Sequence, residues 1–286
     1  MSDPRADGDG PLARAAGEEF APSWRAVDDT PTEVPPVPGG DAPAFYRPIG
    51  DFQGEDYRRN AFATGTAEES AALRDLLDLT AGARVLDVGC GDARHLRALA
   101  ADPGIVGVGI DVSPGLVEAA RTAAAADGVE VEVRVGDARR LVDDLGAQAG
   151  TFDVAWSLCQ GGLGTSPATD PQVLAGLAAA VRPGGLVAVT CFHALFAARH
   201  LVAGDAFDPV HLVHHQRSEV RGPDHARRTF DLWTASYTVR DAHRLLVDAG
   251  LSPVSVRGVT PGAYGRRRDG EVGLDDPELL VLAHRP

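Results

Sequence analysis

Three carboxylates and a pair of glycines occupy the same kind of place in this chain, the end of a short apolar run. In Val85-Leu86-Asp87-Val88-Gly89-Cys90-Gly91, Asp87 closes the run and the glycines turn the chain toward a helix. Glycine there lets the backbone approach a ligand closely, and the amino end of the following helix favours negative charge. Asp111 lies 20 residues after Gly91 and ends a second apolar run, where a carboxylate accepts from both hydroxyls of a ribose. Gly136-Asp137-Ala138 ends a third, placing an acid where an adenine amino group can donate to it. If the runs are neighbouring parallel strands, all three acids face one crevice.

A dinucleotide-binding protein has a similar glycine turn and ribose acid, so the pattern alone is not decisive. Two details separate the ligands. The third glycine of the GxGxxG fingerprint is replaced here by Arg94. A charge on Asp87 suits a sulfonium or ammonium ligand and repels a pyrophosphate, by roughly 4 kcal/mol at ~4 Å and an effective dielectric of ~20.

These residues need a scaffold that alternates strand and helix. Thr66-Ala67-Glu68-Glu69 reads as a capping box, with Leu73, Leu76 and Leu77 on one face of the helix it opens. Strands are expected at 84–88, 105–110, 129–135, 152–158 and 186–192, with Ser113 capping a helix that has Pro114 at its first position. Val129, Val131, Val133 and Val135 alternate with polar residues, as in a half-exposed strand near a sheet edge. Such strict alternation demands a parallel sheet covered on both faces. A helix at 239–249 and strands at 254–259 and 279–283 close the pattern. Residues 193–236 interrupt it and are expected to form an insertion over the carboxyl edge of the sheet.

Residues 1–44 hold 8 of the 20 prolines and nine acids against three arginines, without periodicity. They are expected to be a disordered acidic tail. The 286-residue chain contains no lysine, which excludes a pyridoxal Schiff base, a phosphate-loop lysine and a kinase strand lysine. Its net charge of −14, with Arg266-Arg267-Arg268 as the one tight basic cluster, disfavours nucleic acid as a partner. No apolar run reaches the length of a membrane span, and no basic stub precedes an apolar stretch at the start. Cys90, Cys159 and Cys191 are scattered, as in a reduced, cytoplasmic protein. His211, His214 and His215 do not share one strand face, so no metal is expected.

The succession VLDVGCGDA, GIDVSPGLVEAA, GDARRL, FDVAWSLCQ and VRPGGLVAV resembles that of class I S-adenosylmethionine-dependent methyltransferases, over roughly residues 55–286. The resemblance implies a Rossmann-like, doubly wound, mostly parallel seven-stranded sheet ending in an antiparallel hairpin. It implies that Gly89 and Gly91 pack against the methionine part of S-adenosylmethionine, that Asp87 orients its amino group through backbone or water and that the Leu158 carbonyl faces it. Asp111 would hold the ribose, Val112 would lie against the adenine, and Asp137 and Ala138 would meet its edge.

Within that family the chain lacks the asparagine-proline-proline-aromatic run of enzymes that methylate nucleic-acid amines. It also lacks the proline-cysteine nucleophile used on cytosine C5. A small-molecule acceptor is therefore expected, methylated on N, O or C, by a monomer or homodimer. On the substrate side, residues 45–65 form an expected lid, with Tyr57 to orient an acceptor or cap the donor. Gln160 follows the fourth strand, Trp233 lies in the insertion, and His193 stands past the fifth strand as a candidate base. The alternatives are an NAD(P)-dependent oxidoreductase on the same fold and a catalytically silent scaffold that binds S-adenosylmethionine.

Overall fold

A computed structural model describes residues 33–36, 42–60, 63–101, 104–159, 161–165 and 167–286. The strands expected at the centre are present as β1 (Arg84–Val88), β2 (Val106–Asp111), β3 (Val131–Val135), β4 (Phe152–Ser157) and β5 (Val181–His193). They pair in parallel in the order β3-β2-β1-β4-β5. At its other end the sheet continues antiparallel through β10 (Glu278–His284) and β9 (Ser252–Val259). These seven strands are the expected core. The half-exposed β3 stands at the edge, as its alternating sequence requires.

Side chains leave a strand on alternating faces, so β1 feeds two cores at once. Leu86 and Val88 join Ile110, Leu174, Leu177 and Leu246 on one face. Val85 joins Leu73, Leu96, Val117, Trp156 and Leu280 on the other. The covering helices are α1 (Ala42–Gln53), α2 (Thr66–Leu76), α3 (Arg94–Ala100), α4 (Pro114–Asp127), α5 (Leu141–Leu145), α6 (Asp170–Ala180), α7 (Ala194–Arg199) and α8 (Val239–Asp248). No helix among the described residues is long and apolar enough to cross a membrane.

Helix α4 starts as its sequence demands: Ser113 Oγ accepts from the Leu116 N–H at 3.1 Å, and Pro114 follows as the first helical residue. The capping box expected at Thr66–Glu69 does not form. Gly65 precedes α2 at φ +82°, and Thr66 Oγ1 donates to the Ala63 carbonyl. Glu69 is instead buried, taking Arg94 Nη1 at 2.5 Å, His95 Nε2 at 2.8 Å and the Gly262 N–H at 2.6 Å. A buried carboxylate beside a guanidinium gains far more from that pairing than from an exposed cap. A reciprocal capping box does open α8, between Thr238 and Asp241.

The insertion is a three-stranded antiparallel sheet of β6 (Ala206–Asp208), β7 (Val213–Arg221) and β8 (Arg227–Tyr237). It joins the core where Phe192 and His193 pair with Ser236 and Tyr237. Of the expected tail, residues 1–32 and 37–41 lie outside the described residues. The tail reading fails for 33–36, because Val34 packs on Trp233 and the Pro35 carbonyl accepts the Trp233 indole N–H at 2.8 Å. Helix α1 also begins at Ala42, inside the expected tail.

Candidate active site

A cavity of about 630 Å³ opens at the carboxyl edge of β1–β5, in the size range of small-molecule sites. Its first wall is made by strand ends and the loops after them. Asp111 is 8% exposed, and its Oδ2 accepts from the Gly91 N–H at 2.8 Å while Oδ1 accepts from the Ser113 N–H at 2.9 Å. The carboxylate thus ties the loop after β1 to the loop after β2, and it keeps lone pairs for the cavity it lines. Burial pushes its pKa up to about 6, against the pull of those two N–H groups. Ile110, Val112, Leu116 and Val173 supply apolar lining beside it.

Asp137 and Ala138 line the same wall. The Asp137 carboxylate is gripped by Arg139, through its backbone N–H at 2.9 Å and its guanidinium, which hold the pKa below the ordinary carboxylate range. Gly89, at φ +73°, also lines the cavity, and a Cβ there would run into the backbone of Gly161. The segment after β4 therefore lies directly on the glycine turn.

The roof is built by chain far away in sequence. Asp51 on α1 accepts from Ser113 Oγ at 2.7 Å and from the Gly115 N–H at 3.0 Å, fastening α1 to the start of α4. Tyr46, Ile49 and Gln53 of α1 face the cavity, and Gly222, after β7, packs against Phe52. Tyr57 stands in the 3-10 turn Gly54–Arg59 with its ring over Gly91, where a Cβ would lie 2.9 Å from the ring edge. Asp170, fully buried at the start of α6, accepts from the Gly164 N–H at 3.0 Å and from the Tyr237 hydroxyl. It links the segment after β4 to the insertion.

Of the expected donor residues, Gly89, Asp111, Val112, Asp137 and Ala138 line the cavity, as does Tyr57. Gly91 lies beneath the Tyr57 ring. Asp87 is 2% exposed and stands behind the glycine turn, outside the cavity wall, so any contact with a ligand runs through backbone or water. Burial raises its pKa to about 7, and its Oδ2 has no hydrogen-bond partner. Burial therefore disfavours the charged form on which the discrimination against pyrophosphate rested. The Leu158 carbonyl accepts the Gly161 N–H at 2.9 Å within its own turn, which uses one of its two lone pairs.

On the substrate side the corrections are larger. His193 is buried off the cavity, with Nδ1 3.1 Å from the Asp276 carbonyl oxygen, because its backbone is fixed between the Pro277 carbonyl and the pairing with Tyr237 of β8. Trp233 faces Val34 and Pro35, and its neighbour Leu232 lines the cavity. Gln160 lies outside the described residues. His211, His214 and His215 each pair with a different carboxylate, of Asp208, Asp205 and Asp231 respectively. Arg94, at the third fingerprint position, is the buried partner of Glu69.

Among the lining residues that the sequence reading did not single out are Phe192, next to last in β5, and Glu278, which begins β10 directly opposite it. Glu278 was detectable in principle, as one acid heading the apolar run Leu279-Leu280-Val281-Leu282-Ala283.

Comparison with known proteins agrees with this geometry. Residues 85–185 match a family model described as a methyltransferase domain. The ubiquinone biosynthesis O-methyltransferase of Xanthomonas axonopodis pv. citri is 40% identical over 107 residues, 37% of this chain and 41% of that protein. The nocamycin O-methyltransferase of Saccharothrix syringae is 36% identical over 121 residues, 41% of each chain. The chain thus spans about two fifths of the length of these curated relatives. The CcbJ methyltransferase from Streptomyces caelestis superposes with a TM-score of 0.65 at 19% identity, covering 83% of this chain and 98% of that one. Residues 85–185 are therefore a methyltransferase domain, carried on the fold of the class I S-adenosylmethionine-dependent methyltransferases.

Proposed function

We propose that the protein transfers a methyl group from S-adenosylmethionine to a small-molecule acceptor by in-line displacement. One observation carries the reading: Asp111 and Asp137 end adjacent parallel strands and line the cavity that Gly89 also lines, beside apolar walls. The residues fit the donor. Asp111 has acceptor capacity left for ribose hydroxyls, Val112 and Leu116 offer an apolar surface to adenine, and Asp137 stands at its edge. With Asp137 paired to Arg139, Asp111 is the carboxylate this wall offers to a positively charged ligand.

When bound, S-adenosylmethionine supplies an electrophilic methyl group on a sulfonium sulfur. The chain's part is to hold donor and acceptor in line and keep water out. Asp111 positions the ribose end, and α1, Tyr57 and the end of β7 cover the cavity. A small-molecule acceptor is supported by the size of the cavity, about 630 Å³, and by the ubiquinone and nocamycin O-methyltransferase relatives. The oxidoreductase reading is disfavoured because Arg94 fills the third fingerprint position and is bound to Glu69.

A thermal-shift comparison tests the assignment. S-adenosylhomocysteine is expected to raise the melting temperature and NAD to leave it unchanged; the reverse pattern overturns the reading. Donor binding without turnover over a broad acceptor panel favours the silent scaffold.

A further inference from the structure

Glu278 is 5% exposed and lines the cavity, yet its Oε2 has no hydrogen-bond partner. Its carboxyl is held by Thr190. The Cys159 N–H donates to Thr190 Oγ1 at 2.7 Å, so the hydroxyl proton of Thr190 is directed to the carboxyl. Because β10 runs antiparallel to β5, its first residue reaches the edge where the parallel strands end, beside Phe192.

Several other titratable groups of the cavity are engaged or unsuited, while His225 lines it from the turn after β7, on the roof. Asp111 is fastened by two backbone N–H groups, Asp137 by Arg139 and Asp56 by Arg59. Glu219 pairs with Arg227 on the exposed hairpin. The Cys159 thiol is pushed up to about 12, first by burial, and the Tyr57 hydroxyl is likewise raised by burial, so both keep their protons.

We propose that Glu278 accepts the proton of a hydroxyl-bearing methyl acceptor held beside Phe192, an assignment that rests on the methyl-transfer reading above. An oxygen lone pair of the acceptor forms the new O–CH3 bond. The C–S electron pair returns to the donor sulfur, and the O–H proton passes to Glu278, which loses it to water after product leaves. A hydroxyl arrives neutral and adds no net charge to a buried site. Burial raises the Glu278 pKa to about 7, with Glu69 raising it further while Thr190 and Arg94 lower it. The Cys159 thiol, the Tyr264 hydroxyl and, on the opposite face of β5, the Cys191 thiol lie within electrostatic reach of this carboxyl, and burial raises the pKa of all three. A base with that value exchanges protons readily near neutral pH.

Calorimetry on the full chain tests the assignment, with catechol titrated into protein saturated with S-adenosylhomocysteine at pH 6 and pH 8. Wild type is expected to bind catechol about fivefold tighter at pH 8, and Glu278→Gln to show no pH dependence. S-adenosylhomocysteine affinity should agree within twofold between the two proteins, which shows the variant folded and its donor wall intact. The same pH dependence in both proteins, or no catechol binding to saturated wild type, overturns the assignment and leaves the methyl-transfer reading standing. Wild type that fails to bind S-adenosylhomocysteine overturns that reading and this assignment with it.

Discussion

The two sides of the cavity are built by different means. The donor wall comes from short loops, each directly after its own strand, with Asp111 locking two of them through backbone N–H groups. The acceptor side is assembled from α1, the 3-10 turn over Gly91, the end of β7 and the first residue of β10. Contacts there join distant chain, such as Trp233 with Pro35 and Asp170 with Tyr237. A wall made of local loops is fixed by glycine geometry and a few hydrogen bonds. A roof made of remote segments can change its lining while the wall stays as it is.

That contrast can be broken at either side. The largest effect is expected for Gly89→Ala, since the new Cβ meets the Gly161 backbone and the residue must hold a positive φ. A loss of at least about 3 kcal/mol, in S-adenosylhomocysteine affinity or in stability, is expected from calorimetry and thermal melts. Next, Glu278→Gln is expected to stabilise the fold above neutral pH. The folded protein retains the Glu278 proton between 4.5 and about 7 whereas the unfolded chain does not, so wild-type stability falls as pH rises through that window. At ~1.4 kcal/mol per pH unit the variant should gain about 3 kcal/mol at pH 8 and nothing below pH 4, read by urea unfolding at both.

Asp111→Ala removes a carboxylate that accepts two backbone N–H bonds, and should weaken S-adenosylhomocysteine binding by ~1.5–3 kcal/mol. Unchanged affinity in calorimetry would remove the donor wall from the explanation. The smallest effect is expected for Trp233→Phe, which loses the bond to the Pro35 carbonyl and about 1 kcal/mol of stability in urea. Its S-adenosylhomocysteine affinity should stay within twofold of wild type, because Trp233 belongs to the roof.

The same contrast explains what could be read from residues alone. Glycines and acids at strand ends announce the donor wall, because strand, turn and ligand contact lie within a few residues of one another. Asp111 and Asp137 were legible as cavity-lining acids for that reason. Asp87 was legible as a strand-end acid, but the segment after β4 that covers the glycine turn above it was not. On the acceptor side, alternation in β8 shows two faces without showing which one meets the cavity, and it is Leu232 and not Trp233. His193 was placed by the direction of β5, yet pairing with Tyr237 of β8 and a contact to the Asp276 carbonyl hold it off the cavity. Glu278 follows from one topological fact, that an antiparallel strand brings its first residue to the edge where parallel strands bring their last.

The most direct test is a crystal structure of the protein with S-adenosylhomocysteine. The ribose is expected against the Asp111 carboxylate and the adenine edge beside Asp137, with the Gly161 segment lifted from Gly89. Ligand density anywhere else, or a ribose without contact to Asp111, contradicts the proposed donor site.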